Sequence, residues 1–185
     1  KESDLFLECL LHPQREAMIH IFFGERTAGK ILDVPKDTET QKIGSAGVVG
    51  SGTMGGGIAM NFANAGIPVI VLDQDEKNLE RGIGVIEKNY QMMVDRGRLS
   101  QEMKDGVMSL ITPSLNYEDL ADCDIVVEAV YENLDLKQEI FKKLDDVVKG
   151  DAILASNTSG LDIDAISSVT NRPEKVVGTH FFSPA

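Results

Sequence analysis

Beyond residue 42, short apolar runs alternate along the chain with longer stretches in which apolar and polar residues mix. Ala46–Val49 and Val69–Leu72 are apolar runs rich in β-branched residues, which predict buried strands. Between them, Met54–Ala65 predicts a helix of small residues that ends at Gly66. This order predicts a βαβ unit, the element from which parallel, doubly wound sheets are built.

The same alternation continues towards the end of the chain. Apolar residues at intervals of three and four predict one long helix, although it also contains Gly82 and Gly84: Leu79, Ile83, Ile86, Tyr90 and Met93. Further apolar patterns predict strands at Ile125–Val127, Ala152–Ala155 and Val176–Gly178 and a helix at Leu136–Val148. The predicted fold class is therefore α/β, a Rossmann-type, doubly wound domain with a mainly parallel sheet of about six strands.

The first 41 residues follow a different pattern. Leu5–Phe23 is apolar at helical spacing but is interrupted by Pro13, which predicts two short helices that meet there. Gly24–Lys42 mixes charges with glycine, proline and threonine and shows no sustained period, so we predict an exposed connection. We expect residues 1–41 to form a helical linker arm and residues 42–185 to form the main domain.

Composition narrows the classes of partner. Thirty acidic residues against eighteen basic ones give a net charge of −12, which disfavours contacts with nucleic-acid phosphates. No apolar run approaches the roughly 20 residues that a membrane helix needs. Cys9 and Cys123 form neither a disulfide framework nor a metal-ligand spacing, so we predict two buried thiols and no metal site. Lys1–Asp4 lacks a signal-peptide pattern, and a cytoplasmic location is the default prediction.

A glycine loop follows the first predicted strand. Gly50, Gly52 and Gly55 have the spacing G-x-G-x-x-G, which alone indicates no more than a tight connection between a strand and a helix. The first allows a sharp turn, the second a close approach of the backbone to a diphosphate, and the third tight packing of the helix. Thr53 and Met54 lie where the loop meets the predicted helix, whose free N–H groups and positive dipole end would bind that diphosphate.

An acidic residue supports the glycine loop. Asp73 directly follows the second strand, 23 positions after Gly50, where a carboxylate accepts hydrogen bonds from the adenosine ribose. The same charge repels a 2′-phosphate, and the neighbours Gln74 and Asp75 offer no arginine to bind one. Loop and acid together predict an NAD site that includes Gln74. The alternative for Asp73 is a helix cap.

Four strings in order extend the match beyond a single motif. GSGTMGGGIAM, IVVEAVYEN, ASNTS and GTHFFSP lie at Gly50–Met60, Ile125–Asn133, Ala155–Ser159 and Gly178–Pro184. Together they resemble the NAD-binding domain of the L-3-hydroxyacyl-CoA dehydrogenase family, over nearly all of residues 46–185. The resemblance implies NAD-dependent oxidation of (S)-3-hydroxyacyl-CoA to 3-oxoacyl-CoA in fatty-acid β-oxidation.

This reaction needs a base for the hydroxyl proton, and His180 is the candidate. It follows the last predicted strand, at the carboxyl edge of the sheet where such folds bind ligands, whereas His12 and His20 lie on the arm. Histidine exchanges protons near neutral pH. The resemblance implies that Ser159 binds the substrate oxygen, with a turn cap as its alternative role. It also implies a supporting glutamate about a dozen residues after His180, past Ala185.

The resemblance adds further contacts. Glu132 is implied near the nicotinamide ribose, with a cap for the following helix as the alternative. Lys137 is implied near cofactor and substrate, although a lysine is more often an exposed surface charge. Asn157 is expected to shape its turn, as Thr158 does, and to contact the cofactor secondarily. Ser183 departs from the asparagine of some family members, so an amide contact to nicotinamide is not carried over.

The string IFFGER in the arm resembles the linker helix of multifunctional fatty-acid oxidation proteins. This implies an enoyl-CoA hydratase part before Lys1, a helical dehydrogenase part after Ala185 and a possible thiolase partner subunit. We therefore expect these 185 residues alone to be inactive. Two other readings stay open: a β-hydroxyacid dehydrogenase that relies on a downstream lysine, and a non-catalytic dinucleotide-binding module.

Overall fold

The computed structural model describes residues 1–31, 33–35 and 37–183, and it divides into the compact units Lys1–Gln41 and Lys42–Ala185. The first unit contains helices α1 (Glu2–Leu11) and α2 (Pro13–Ala28). Because Pro13 occupies the first helical position of α2, where its missing N–H costs nothing, the two helices meet where the pattern predicted. The predicted connection is shorter than expected, since α2 continues through Gly24 to Ala28.

The second unit is built on six parallel strands in the order β3-β2-β1-β4-β5-β6. Their bounds are β1 Ala46–Val49, β2 Val69–Leu72, β3 Ile111–Ser114, β4 Ile125–Glu128, β5 Ile153–Ser156 and β6 Val176–Gly178. The first strand pairs on one side with β2 and on the other with β4, so the order of strands reverses between β1 and β4. This order confirms the predicted Rossmann fold.

Helices cover both faces of the sheet. They are α3 (Thr53–Asn64), α4 (Glu76–Asp95), α5 (Gln101–Met108), α6 (Leu134–Val147) and α7 (Ile163–Ser167). Short 3₁₀ turns lie at Tyr117–Leu120 and Pro173–Lys175. One apolar core contains Ile58 of α3 and Tyr90 of α4, and a second contains Phe141 and Leu144 of α6. Because both faces are buried, the central strands are apolar throughout rather than alternating.

Some elements differ from the sequence prediction. The pattern did not reveal β3, because the segment ITPS is half polar and contains Pro113, which is tolerated at the edge of a sheet. It also missed α5 and α7, which are short. Met93 was predicted to lie on the buried face of α4 but is exposed. A helix of this length spans about 30 Å and a four-residue strand about 13 Å, so the sheet does not cover the last turn of α4.

The two cysteines differ in environment. Cys123 is buried as predicted, and burial raises the pKa of its thiol to about 11, so it is not a reactive thiolate. The prediction for Cys9 was wrong: this thiol is exposed, because α1 has no buried residue. Within the described ranges no group of His, Cys, Asp or Glu is arranged to hold a metal ion. In the same part of the chain, no helix combines the length and apolar character needed to cross a bilayer.

Candidate active site

The carboxyl ends of the strands bring the predicted site residues to one edge of the sheet. Gly50 follows β1, Asp73 follows β2, Asn157 follows β5 and His180 lies two residues after β6. The connections from β1 and β4 lead to opposite faces, which opens a crevice between these strands. Ligands of doubly wound folds bind in this crevice.

The glycine loop has a geometry that only glycine satisfies. Gly50 has a φ of 103°, and a Cβ there would lie 2.7 Å from the carbonyl oxygen of Ala129. A Cβ on Gly55 would lie 1.8 Å from the carbonyl oxygen of Gly50, so α3 packs directly on the turn. Gly52, by contrast, faces open space and provides no side-chain cap for α3. The first N–H groups of α3, which include those of Thr53 and Met54, therefore meet an open cradle that fits a diphosphate.

Asp73 is tied to the glycine loop. Its Oδ2 accepts hydrogen bonds from the Ser51 amide at 3.0 Å and from the Ser51 hydroxyl at 2.7 Å. The alternative that Asp73 caps the next helix is wrong, because Asp75 caps α4 by accepting from the Asn78 amide at 2.8 Å. The carboxylate thus joins the ends of β1 and β2 at the place where an adenosine ribose would lie.

A cleft of about 610 Å³ leads from the glycine loop past Asp73 and Gln74. Its far side is formed by Tyr117 and by Lys143 of α6. Arg81 also lines this cleft, although the positions next to Asp73 in sequence contain no arginine. Sequence reasoning missed these residues because they come from three separate elements that only the fold brings together.

A second cleft, of about 340 Å³, adjoins the first at Ala129 and Val130. Its lining brings together most of the predicted residues of this end of the site: Met54, Glu132, Asn157, Ser159 and His180. Ser159 Oγ lies 3.3 Å from His180 Nε2, within hydrogen-bonding distance. The Ser159 hydroxyl and the His180 imidazole thus face the crevice together, at the end opposite Asp73.

Backbone contacts hold these two side chains in place. Asn157 Oδ1 accepts a hydrogen bond from the Phe181 amide at 2.9 Å, which joins the end of β5 to the segment after β6. The Thr158 hydroxyl accepts hydrogen bonds from the Leu161 amide at 3.0 Å and the Gly160 amide at 3.3 Å. Thr158 therefore shapes the turn that carries Ser159, as the sequence predicted, whereas Asn157 bonds to the segment after β6 rather than to its own turn.

Glu132 faces the same turn. Its Oε1 accepts hydrogen bonds from the Thr158 hydroxyl at 2.5 Å and the Ser159 amide at 3.0 Å. Burial acts to raise the pKa of Glu132, but these hydrogen bonds and the nearby Lys137 outweigh it and lower the pKa, so the side chain is ionised. The cap alternative is wrong, because Asn133 caps α6.

Lys137 is buried rather than a surface charge. Its side chain is 1% exposed, and its Nζ lies 2.7 Å from Glu128 Oε1 and 3.3 Å from Glu132 Oε2. Sequence reasoning missed Glu128, which is fully buried at the end of β4. A charged residue at the end of an apolar strand was the available signal, since such a residue needs a buried partner.

A groove between α3 and α4 borders the first cleft. Its volume is about 500 Å³, and it shares Ser51, Gly52 and Arg81 with that cleft. Its lining is apolar and basic, and it includes Met60, Met92, Met93, Arg81, Arg96 and Arg98. Three arginines along one groove are notable in a chain whose net charge is −12. The helical pattern of α4 gave no sign of this groove.

Comparison with known proteins identifies the family of this chain. Residues 45–185 match the family model described as 3-hydroxyacyl-CoA dehydrogenase, NAD binding domain. The chain belongs to this family. As a 3-hydroxyacyl-CoA dehydrogenase NAD-binding domain, it has NAD as its cofactor, in agreement with the glycine loop and Asp73.

Relatives of this family member are longer proteins. The peroxisomal bifunctional enzyme of Cavia porcellus is 41% identical over 191 residues, which cover 100% of this chain and 26% of that protein. The fatty acid oxidation complex subunit alpha of Psychrobacter arcticus is 38% identical, with 99% of this chain and 25% of that protein covered. The chain thus spans about a quarter of the length of these relatives.

Solved structures of related proteins have the same fold. FadB2 of M. tuberculosis is 40% identical with a TM-score of 0.76, over 78% of this chain and 51% of that one. The 3-hydroxybutyryl-CoA dehydrogenase of Escherichia coli is 36% identical with the same TM-score, 0.76, over 78% of this chain and 31% of that one. The residues that the family model matches, 45–185, all lie within the second unit.

Proposed function

We propose that this chain is the NAD-binding part of an enzyme that oxidises (S)-3-hydroxyacyl-CoA to 3-oxoacyl-CoA in fatty-acid β-oxidation. The single observation that carries the proposal is the 3.3 Å contact between Ser159 Oγ and His180 Nε2, in the cleft that adjoins the glycine loop. The family and the names of its relatives support the substrate class. A rival β-hydroxyacid dehydrogenase would not require this pair.

The two residues have distinct roles in the proposed reaction. Nε2 of His180 accepts the proton of the substrate's 3-hydroxyl group. Ser159 donates a hydrogen bond that orients the oxygen of that hydroxyl. When bound, NAD accepts the hydride that leaves the carbon bearing this hydroxyl group. Gly50, Gly52, Thr53, Met54 and Gly55 would hold the diphosphate, and Asp73 with Gln74 the adenosine ribose, while Glu132 and Asn157 line the reacting end.

The groove between α3 and α4 supports a substrate that carries phosphate. Coenzyme A has a diphosphate and a further ribose phosphate, and Arg81, Arg96 and Arg98 would balance these charges. The methionines beside them adapt to irregular apolar surfaces. The groove borders the first cleft at Ser51, Gly52 and Arg81, and we propose that it holds the phosphate end of the thioester.

Replacing the proposed base tests the function. In the longer protein that contains this chain, we expect His180→Ala to lower turnover of acetoacetyl-CoA with NADH by about a hundredfold or more. The reason is that alanine cannot exchange the proton of the 3-hydroxyl group. The affinity for NADH, measured by fluorescence titration, should stay within about twofold. His20→Ala, on α2, is the matched control and should leave both values unchanged. Full turnover by His180→Ala would favour a non-catalytic dinucleotide-binding module.

We also propose that the domain works within a multifunctional protein. Relatives are named as bifunctional or multifunctional proteins or as a complex subunit, and this chain spans about a quarter of their length. A hydratase part, a helical dehydrogenase part and a thiolase subunit are the expected partners. A glutamate about a dozen residues after His180 in the encoding gene would support the dehydrogenase part. A cytoplasmic location stays a prediction.

A further inference from the structure

Lys137 occupies a place in which a cation is unfavourable. It is the fourth residue of α6, near the positive end of the helix dipole, and its side chain is 1% exposed. A buried ammonium is costly unless it is paired and hydrogen-bonded. The proposed chemistry assigns no proton or hydride to this residue, so its position needs another explanation.

The inner partner of Lys137 ties two strands together. Glu128, the last residue of β4, accepts hydrogen bonds on Oε1 from Lys137 Nζ and from the Val130 amide, each at 2.7 Å. Its Oε2 accepts one from the hydroxyl of Ser156, the last residue of β5, at 2.7 Å. This side of the ion pair is completed within the fold and faces no ligand.

The outer partner, Glu132, uses its two oxygens differently. Oε2 lies 3.3 Å from Lys137 Nζ, and Oε1 accepts from the Ser159 amide at 3.0 Å and the Gly160 amide at 3.3 Å. The Glu132 side chain is 42% exposed, so without the attraction of Lys137 it can turn outwards and hydrogen-bond to water. One ammonium thus lies between two carboxylates, and the local charge is −1.

We propose that Lys137 is a positioning residue that pulls Glu132 against the Ser159 turn and thereby sets the contact between Ser159 and His180. Without the ammonium, Glu128 and Glu132 repel each other across a poorly solvated gap, and Glu132 turns outwards. The turn then loses its acceptor, and Ser159 is no longer held near His180. The claim about position stands on the chain itself, and only its effect on turnover rests on the proposed function.

Two substitutions test the position directly in the 185-residue chain. Lys137→Met removes the ammonium, and Glu132→Gln keeps the shape of the side chain but turns one donor towards Lys137. For both, we expect hydrogen exchange at the Ser159 and Gly160 amides to be about tenfold faster, by NMR. The His180 ring signals should also shift. Lys142→Met makes the same change as Lys137→Met on the exposed face of α6 and should match the unchanged chain.

Glu132→Gln decides the test if Lys137→Met unfolds, because it leaves the buried pair of Glu128 and Lys137 intact. Unchanged exchange at Ser159 and Gly160 in a folded Glu132→Gln would overturn the proposal. In the longer protein, both variants should lower kcat, measured at saturating NADH, about tenfold. A protein that lacks dehydrogenase activity before any substitution would refute the proposed function, while the NMR result would still decide the positioning role.

Discussion

Asp73 contributes to the site both by its charge and by its grip on Ser51. Asp73→Asn keeps a side chain of the same shape but removes the charge that strengthens hydrogen bonds to ribose hydroxyls. We expect NADH affinity to fall about tenfold, because the hydrogen bonds to the ribose weaken. The preference for NADH over NADPH should also become smaller, because the repulsion of a 2′-phosphate is lost. Fluorescence titration with both cofactors measures this.

A neighbouring carboxylate provides the control for Asp73. Asp75→Asn changes the same charge two residues further on and retains the cap of α4, since asparagine caps a helix as well as aspartate does. It should leave the affinity for both cofactors unchanged. Equal losses in the two variants would mean that the effect comes from general charge and not from contact with the ribose.

How far single residues were predictable depends on where their partners lie. His180 and Ser159 were found because the carboxyl ends of parallel strands meet at one edge, and the structure brings them together there. The burial of Lys137 and its pairing with Glu128 were not, because a lysine between polar residues early in a helix has the same pattern whether it faces water or a buried carboxylate. Only the packing of α6 on β4 distinguishes the two cases.

At the scale of elements, the two glycines of α4 have different roles that the sequence did not separate. A Cβ on Gly82 would lie 2.3 Å from the Ser51 carbonyl oxygen, whereas nothing lies within 4 Å of one on Gly84. We expect Gly82→Ala to destabilise the chain by about 1–3 kcal/mol and to weaken NADH binding, because the glycine loop must shift. Urea unfolding and fluorescence titration measure the two effects.

Gly84→Ala is the matched change one half-turn away on the same helix. It should stabilise the chain by up to about 1 kcal/mol, because alanine favours the helix and meets no neighbour. Similar destabilisation by both variants would show that the close contact of Gly82 with Ser51 is not the reason why a side chain at position 82 destabilises the chain. Helix α4 thus tolerates glycine at one position and requires it at the other.

Elements were predictable where the pattern was long or the run fully apolar. The central strands β1, β2, β4 and β5 and the helices α3, α4 and α6 were found with small errors at their ends. The edge strand β3 was missed because half of it faces solvent and its apolar content is low. Short α5 and α7 depend on their caps, Ser100 and Asp162, more than on an apolar period.

At the scale of the whole molecule, the free energy of unfolding depends on pH through an ion pair at the amino-terminal edge of the sheet. Asp124 Oδ1 lies 2.5 Å from Lys149 Nζ, and its Oδ2 accepts from the Gly44 and Ser45 amides at 2.6 and 2.9 Å. The hydrogen bond from Lys149 and those from these amides lower the pKa of Asp124 to about 2 from an ordinary 3.8. The carboxylate thus anchors the start of β1.

A depressed pKa stabilises the fold above the unfolded-state value and loses its effect as the pH falls through the folded-state value. The contribution of Asp124 should therefore be complete above about pH 5 and be lost between about pH 4 and pH 2. Asp124→Asn should be less stable than the unchanged chain at neutral pH and equally stable near pH 2, as followed by urea unfolding. A constant difference down to pH 2 would contradict this assignment.

The position of Pro113 affects how copies of the molecule meet. The carbonyl groups of Leu110 and Ser114 bind β2, so the alternate residues Ile111 and Pro113 direct their backbone towards the free edge of the sheet. Proline has no N–H to offer there, and an approaching strand finds the row of donors interrupted at its middle. A residue that obscured β3 in the sequence therefore makes edge-to-edge aggregation less favourable.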